Sequence, residues 1–198
     1  VLLLGNISFA AEHPDARQTA FHVNGLYVPP DGSGSFSLEG SDLPAHLELR
    51  FQGAFMALQE PLTLANDGEV VRALVEDQTL MGLSFAGGYK NRFAGGLFLP
   101  VLVAQKGELP GKDLGAVDSF AVGDLDIFAK GLLYENKDLG LGLALSTHII
   151  APTGSTTAYV GYGDWAWNNL LIAQWQLGPV TTLVNAGYYL QPERVLLN

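Results

Sequence analysis

The sequence predicts an all-β fold in which the strands follow one another as an antiparallel up-and-down meander. From residue 45 onward, apolar and polar residues alternate with a period of two, which is the pattern of strands with two unlike faces. Tight polar turns separate the alternating segments, and no convincing amphipathic helix lies between them. The alternation therefore predicts a single series of sequential strands.

The composition is that of a protein with a surface poor in charge. Of the 198 residues, 48% are hydrophobic and only 15% are charged, whereas soluble domains have about 25% charged residues. No uninterrupted apolar run approaches the roughly 18 residues of a membrane-spanning helix. Closed β-structure is the remaining way to satisfy every backbone N–H and C=O group in hydrocarbon. We therefore expect a transmembrane β-barrel, incomplete in this chain.

Charge and cysteine content restrict the partners. The net charge is −10, and the chain has only ten Lys and Arg residues. Binding to phosphates requires clustered basic residues, so we expect no nucleic-acid partner. The absence of cysteine suits an exported protein but identifies no compartment by itself.

The first ten residues have the pattern of a signal-peptide remnant. Residues 1–4 are apolar, and the small residues Ser8 and Ala10 suit cleavage before Ala11. An ordinary buried strand is the alternative. Because the chain begins with Val1, we expect it to be an excerpt of a longer reading frame. The predicted divisions are a signal-peptide remnant at 1–10, an N-terminal pre-barrel segment at 11–43 and a β-barrel at 44–198, truncated before closure.

Seven strands are predicted from the alternation. The first spans residues 45–65 and is clearest at 46–55, where one face is apolar and the other strongly polar. The others are predicted at 70–89, 93–104, 121–134, 139–150, 169–177 and 180–190.

The two faces of these strands supply two sets of candidate residues. The lipid-facing candidates are Leu47, Leu49, Phe51, Leu83, Phe85, Leu125, Ile127, Leu141, Leu143 and Leu145. The lumen-lining candidates are His46, Glu48, Arg50, Arg72, Glu76, Asp124, Asp126, Lys130 and His148.

The connections alternate in length. Short breaks at 90–92, 135–138 and 178–179 alternate with long Gly-, Asp- and Pro-containing stretches at about 105–120 and 151–168, apart from the short turn at 66–69. Membrane barrels have short turns at one end and long loops at the other. Aromatic residues lie near the strand ends, as in the interfacial girdles of membrane barrels, although packing under loops explains them equally well. They are Tyr89, Phe93, Tyr134 and Trp175 beside the short turns, and Tyr159, Tyr162, Trp165 and Trp167 near a long connection.

Small residues opposite leucine favour lipid on the leucine face. In the strand at 139–150, the residues opposite leucine include Gly140, Gly142 and Ala144, which are too small to fill a soluble core. Small inner residues instead allow a narrow barrel to close. A secreted soluble β-sandwich, with leucine in its core, remains the alternative.

The sequence contains weak signals for chemistry. Asp124, Asp126 and Lys130 project from one strand and predict a charged lumen, acting as a plug, as a selectivity lining or simply as paired buried charges. The four histidines have no metal-ligand spacing. Ser84 or Ser146 could be combined with a histidine and an aspartate, but no nucleophile motif surrounds them. We expect no enzyme activity, metal or cofactor.

Several short motifs resemble known barrels. Residues 36–47 (FSLEGSDLPAHL) and 60–64 (EPLTL) resemble the opening of the barrel in multidomain OmpA-family outer-membrane proteins. Residues 98–101 (FLPV), 122–125 (VGDL) with Lys130, and 151–154 (APTG) resemble the same barrel. The Gly-Asp and Pro-Thr-Gly elements are also similar to an outer-membrane family linked to aromatic-compound degradation. The resemblance covers roughly residues 21–198.

The resemblance implies a bacterial outer-membrane location and a mainly structural or envelope-tethering role. In that family the barrel precedes a periplasmic peptidoglycan-binding domain, so the implied partners are outer-membrane lipid and, through a domain absent from this chain, peptidoglycan. It also implies that residues 21–43 fold over the barrel mouth or its interior, and that the turn at 66–68 faces outward. A porin-like channel or transporter for small solutes is the alternative.

Overall fold

The computed structural model describes residues 2–3, 7–8, 28–35, 37–66, 69–107, 119–155, 158, 160–161 and 163–191. Over these residues the fold is all-β, and no helix there is long and apolar enough to cross a membrane. The strands are β1 (Leu2–Leu3), β2 (Ile7–Ser8), β3 (Leu49–Asn66), β4 (Glu69–Tyr89), β5 (Phe93–Lys106), β6 (Ala121–Val122), β7 (Leu125–Asn136), β8 (Leu141–Ala151), β9 (Ala166–Leu177) and β10 (Val180–Leu190).

The seven long strands form one antiparallel meander, curled into a half-barrel. Their order in the sheet is β3-β4-β5-β7-β8-β9-β10, so each pairs with the next long strand along the chain. The predicted antiparallel meander of seven strands is confirmed. The two-residue β6 adds to β5, and β1 and β2 pair parallel with β10. Residues 1–10, which the signal-peptide interpretation places outside the fold, thus contribute two short pairings.

Three tight turns gather at one end of the sheet. Lys90 and Asn91 both have a φ of 54°, while Gly140 has 64° and Gly178 has 56°. These left-handed conformations fit the right-handed twist of the strands they join. The strand ends that the longer connections join, β5 to β7 and β8 to β9, lie at the opposite end. The predicted sorting of short and long connections agrees with the strand order, apart from the short connection between β3 and β4 at that end.

The first long strand begins later than the alternation predicts. It starts at Leu49 rather than residue 45, because Leu47 has a φ of 61° and Glu48 N donates to Ala45 O at 3.0 Å. His46 and Leu47 therefore belong to a turn, and their assignment to opposite faces of a strand was wrong. The segment predicted as one strand at 121–134 is also divided, since β6 ends before Gly123 and β7 begins at Leu125.

The sheet has two chemically different faces. An N-terminal strap, the described residues 28–35 and 37–44, covers the face that we call inner, and the opposite face is called outer. Along β8, Ala144, Ser146 and His148 are buried on the inner face, while Leu143 and Leu145 are exposed on the outer face. Nearer the long connections, the inner face carries an apolar cluster that includes Leu80, Leu102, Ala121 and Ala158.

Candidate functional site

The N-terminal strap is shaped by a tight hairpin. Ser35 N donates to Leu38 O at 3.0 Å, and Leu38 N donates back to Ser35 O at 3.1 Å. Gly34 has a φ of +80°, a conformation that favours glycine. At Gly40, a Cβ atom would lie 2.8 Å from the Oε1 atom of Gln174 on β9. The hairpin therefore brings the strap backbone against the sheet more closely than a larger residue would allow.

A buried lysine joins the strap to the sheet. Lys130 on β7 places its Nζ atom 2.6 Å from Asp31 Oδ2 and 3.2 Å from Glu39 Oε2. The same ammonium group donates to Ser33 Oγ at 2.7 Å. All four residues are buried. A buried ammonium requires such partners, because leaving its charge uncompensated away from water costs several kcal/mol.

His148 on β8 continues this network. Its Nδ1 atom lies 2.9 Å from Asp126 Oδ2 on β7, and its Nε2 atom lies 2.8 Å from Glu39 Oε1 in the strap. Because each ring nitrogen faces a carboxylate, the geometry suits a doubly protonated imidazolium that donates at both nitrogens. The ring stacks on Phe128 with centroids 5.8 Å apart. We call Asp31, Glu39, Asp126, Lys130 and His148 the charged cluster.

The connectivity of a catalytic triad occurs within this network. Ser146 Oγ lies 3.0 Å from His148 Nε2, and Asp126 contacts the other ring nitrogen. A nucleophilic serine needs a histidine nitrogen that can accept its proton. Here Glu39 faces that same nitrogen, and the Ser146 side chain is fully buried. The arrangement therefore suits ion pairing better than acyl transfer.

Amide side chains hold the strap backbone. Asn185 on β10 accepts from Glu39 N at 2.7 Å and donates to Glu39 O at 2.9 Å. Gln174 on β9 accepts from Ser41 N at 2.8 Å and donates to Asp42 Oδ2 at 3.0 Å. The strap thus makes polar contacts with β7, β8, β9 and β10 and covers much of the inner face.

The predicted lumen-lining residues fall into several groups. Asp124, Asp126, Lys130 and His148 are buried, and the last three belong to the charged cluster. The side chain of Arg72 lies outside the described residues. Glu76 is exposed beside the fully buried Val75, where the pairing of β3 and β4 shifts in register. Glu76 was predicted to point inward because of the period-two alternation, and the alternation does not continue to that position.

Glu48 and Arg50 form a separate pair at the start of β3. Arg50 Nε donates to Glu48 Oε1 at 2.8 Å, which holds the pKa of the Glu48 carboxyl below its usual value. Arg50 Nη1 also donates to Asp31 O at 3.3 Å. The pair is half-buried and links the turn before β3 to the strap.

The predicted lipid-facing residues lie on the outer face, apart from Leu47 in its turn. Leu125 and Leu141 are half-buried, and the others are exposed. The strand register joins several of them into one continuous row across all seven long strands. In strand order the row consists of Phe51, Phe85, Leu97, Ile127, Ile149, Trp167 and Leu190. Every member is an exposed large hydrophobic side chain, from 36% at Phe85 to 79% at Phe51.

Sequence reasoning missed the strap's own contribution to the site. Asp31, Ser33 and Glu39 were not recognised as partners of the sheet, and neither was Asn185. Glu39 lies 109 residues from His148 in sequence. The periodicity of a strand cannot predict a contact between residues so far apart. The usable signal was the buried lysine itself, since Lys130 on an inner face demands acidic partners.

Two motifs of the sequence meet at the end of the sheet that carries the long connections. Asp124 Oδ1 accepts from Gly154 N at 2.7 Å, and Thr153 Oγ1 accepts from Leu125 N at 2.9 Å. A Cβ atom on Gly154 would lie 2.6 Å from the carbonyl carbon of Gly123. The Gly-Asp and Pro-Thr-Gly elements are therefore one structural unit that joins the two connections.

Replacing Asp124 with alanine is expected to lower the free energy of unfolding by about 1–3 kcal/mol, because it leaves the Gly154 N–H without its charged acceptor. Urea titration followed by tryptophan fluorescence measures this loss. Asp164 is an exposed aspartate in the second of these connections, and Asp164→Ala is the matched control, expected to change stability by no more than about 0.5 kcal/mol. Equal effects at the two positions would contradict the assigned role of Asp124.

Within the described part of the chain, no group of three or more His, Cys, Asp or Glu side chains is arranged to hold a metal ion. Comparison of the chain with protein-family models, curated proteins and solved structures gave no match. The geometry of the two faces is therefore the basis for assigning a function.

Proposed function

We propose that this chain forms the wall of an outer-membrane β-barrel with a mainly structural, envelope-tethering role. The observation that carries the proposal is the inverted polarity of the sheet. Its inner face holds buried charges that include Lys130 and His148, and its outer face exposes a seven-strand row of large hydrophobic side chains. A soluble sheet would place these two sets of side chains the other way round.

The energetic argument favours lipid on the outer face. Burying one Leu or Phe side chain is worth about 1.5–3 kcal/mol, and in water the exposed row would forgo that stabilisation on every strand. Soluble monomers rarely expose apolar patches beyond about 300–600 Å². Contact with hydrocarbon removes this penalty without a second protein layer. Contact with lipid also explains why the sheet has so few charged side chains on its surface.

Aromatic residues on the outer face support the same orientation. On β9, Trp167 and Trp175 are exposed at opposite ends, and Leu171 is exposed between them. The two tryptophans are eight residues apart, about 26 Å along an extended strand, or about 20 Å along the barrel axis at the strand tilt of about 40° that membrane barrels have. Membrane barrels place an apolar band of about 25 Å between two aromatic girdles, so the two tryptophans lie close to the edges of such a band. Tyr89 and Tyr134 are exposed beside the short turns, at the same end as Trp175.

The strap favours a structural role over an open pore. Its side chains occupy the inner face at the charged cluster, and Asp31, Ser33, Glu39 and Ser41 are all buried there. A channel needs a water-filled path lined by accessible polar groups. A porin-like channel is the second candidate, because the strap is held by polar contacts that a conformational change can exchange for water.

Conductance across a planar lipid bilayer tests this proposal. The wild-type protein is expected to insert but to give no steady open-channel current. The double variant Asp31→Asn, Glu39→Gln is expected to show more frequent openings, because it removes both carboxylates that hold the strap to Lys130. Steady conductance by the wild type would favour the porin-like alternative.

Gel migration of the same protein with and without heating checks that it inserts at all. A folded membrane barrel in detergent is expected to migrate faster before heating. Recovery of the protein in the aqueous fraction with no heat-dependent shift would contradict the membrane proposal and favour the soluble sandwich.

A further inference from the structure

The sheet contacts one strap residue through every polar group of that residue. Glu39 places Oε1 2.8 Å from His148 Nε2 and Oε2 3.2 Å from Lys130 Nζ. Its backbone N–H and carbonyl both pair with the Asn185 amide, at 2.7 Å and 2.9 Å. Strands β7, β8 and β10 therefore converge on the side-chain carboxylate of Glu39 and on the backbone peptide groups of the same residue.

The sheet orients the His148 ring without help from the strap. Asp126 on the neighbouring strand fixes the His148 ring through Nδ1, and Phe128 stacks on the ring. Supporting contacts of this kind hold a binding group in position before its ligand arrives. The position of the His148 ring is consequently fixed by the wall itself, and Glu39 contacts the ring nitrogen that the wall leaves facing the strap.

The charges of the wall favour an anion at this place. The wall contributes the ammonium of Lys130, the imidazolium of His148 and one carboxylate, Asp126, to the charged cluster. The other two carboxylates, Asp31 and Glu39, come from the strap. With the strap displaced, two cations would face a single carboxylate, so this part of the wall would carry a net positive charge that attracts an anion.

The polar attachments of the strap use groups that a small molecule can imitate. The described residues of the strap bury apolar side chains at Pro29, Pro30, Leu38 and Pro44. The polar attachments are ion pairs and hydrogen bonds at Asp31, Ser33, Glu39 and Ser41. A ligand with a carboxylate can form the same ion pairs with Lys130 and His148 that the Glu39 carboxylate forms.

We propose that Lys130, His148 and Asn185 form a binding site for a carboxylate-bearing small molecule, which the strap residue Glu39 occupies in this structure. Lys130 and His148 take the two carboxylate oxygens, and Asn185 pairs with an amide group that a short aliphatic spacer, like the two methylene groups of Glu39, separates from the carboxylate. Because the site lies on the inner face, it does not depend on what covers the outer face. Failure of the membrane proposal would leave it intact.

Chemical rescue of Glu39→Ala by acetate tests the site. Acetate restores the carboxylate that the substitution deletes, and acetamide is its uncharged counterpart of the same shape. Acetate is expected to raise the folding equilibrium constant of the variant about tenfold once its concentration exceeds its Kd about tenfold. Acetamide, and sodium chloride at equal ionic strength, are expected to leave that constant unchanged. Equal effects of the three compounds, or failure of the variant to fold even in acetate, would overturn the proposal.

A direct binding measurement separates this site from others on the protein. The carboxyl resonance of ¹³C-labelled acetate is expected to broaden or shift with the Glu39→Ala variant. It should not change with the wild type, in which Glu39 already fills the site. Perturbation of the acetate signal to the same extent by both proteins would place the binding elsewhere and overturn the assignment.

Discussion

Replacing Lys130 with methionine is expected to lower the free energy of unfolding by about 3–5 kcal/mol, the cost of removing one partner from a buried ion pair. The substitution keeps an unbranched side chain of nearly the same length but removes its charge, so Asp31 and Glu39 lose the cation that both contact. The loss is measured by denaturant titration in detergent micelles or lipid vesicles.

Lys137→Met is the matched control for this experiment. Lys137 has an 83% exposed side chain and lies 3.9 Å from Glu135 in an exposed pair, so its replacement should cost at most about 1 kcal/mol. Adding Asp31→Asn and Glu39→Gln to Lys130→Met should recover part of the lost stability, because the stranded carboxylates are then neutral. A Lys130→Met cost no larger than that of Lys137→Met would contradict the charged cluster.

Replacing Leu143 with arginine is the second large-effect prediction. If the middle of β8 faces hydrocarbon, the substitution should cost about 2–4 kcal/mol in a lipid bilayer. If the same exposed position faces water, a change at a surface site should cost at most about 0.5 kcal/mol. The free energy of folding into lipid vesicles, measured by urea titration, separates the two environments.

Leu139→Arg provides the depth control. Leu139 is exposed in the turn just before β8, where an arginine would sit near the membrane surface. The cost there should fall to about 0–1 kcal/mol. A small cost at both positions would contradict lipid contact, and a large cost at both would indicate that packing rather than membrane depth determines the result.

The parts of the fold that sequence reasoning predicted are the local ones. Period-two alternation gave seven strands because neighbouring side chains on a strand point to opposite faces. Tight turns at Lys90–Asn91 and Gly178 were recognisable because Asn91 and Gly178 are of residue types that tolerate a positive φ. His46 and Leu47 continued the alternation by composition alone, yet the positive φ of Leu47 places them in a turn.

The parts that could not be predicted depend on distant segments. Asp31 and Lys130 are 99 residues apart in sequence, and no periodic pattern connects them. The inward direction of Lys130 followed from the alternation, but its partners in the strap did not. Similarly, the alternation placed Ser146 and His148 on one face. It did not reveal that Glu39 would contact His148 Nε2, the same ring nitrogen that Ser146 contacts.

The most direct test of the inverted sheet is the environment of single spin labels in a lipid bilayer. The chain contains no cysteine, so Leu145→Cys and Leu171→Cys each accept one label. These residues are opposite each other on β8 and β9 and are exposed on the outer face. Lys137→Cys, in a short turn, serves as the aqueous reference.

Labels at positions 145 and 171 are expected to be accessible to oxygen and shielded from a water-soluble nickel complex, as in hydrocarbon. The label at position 137 is expected to show the reverse. If the nickel complex reaches positions 145 and 171 as readily as position 137, the outer face meets water and the proposed membrane barrel is wrong.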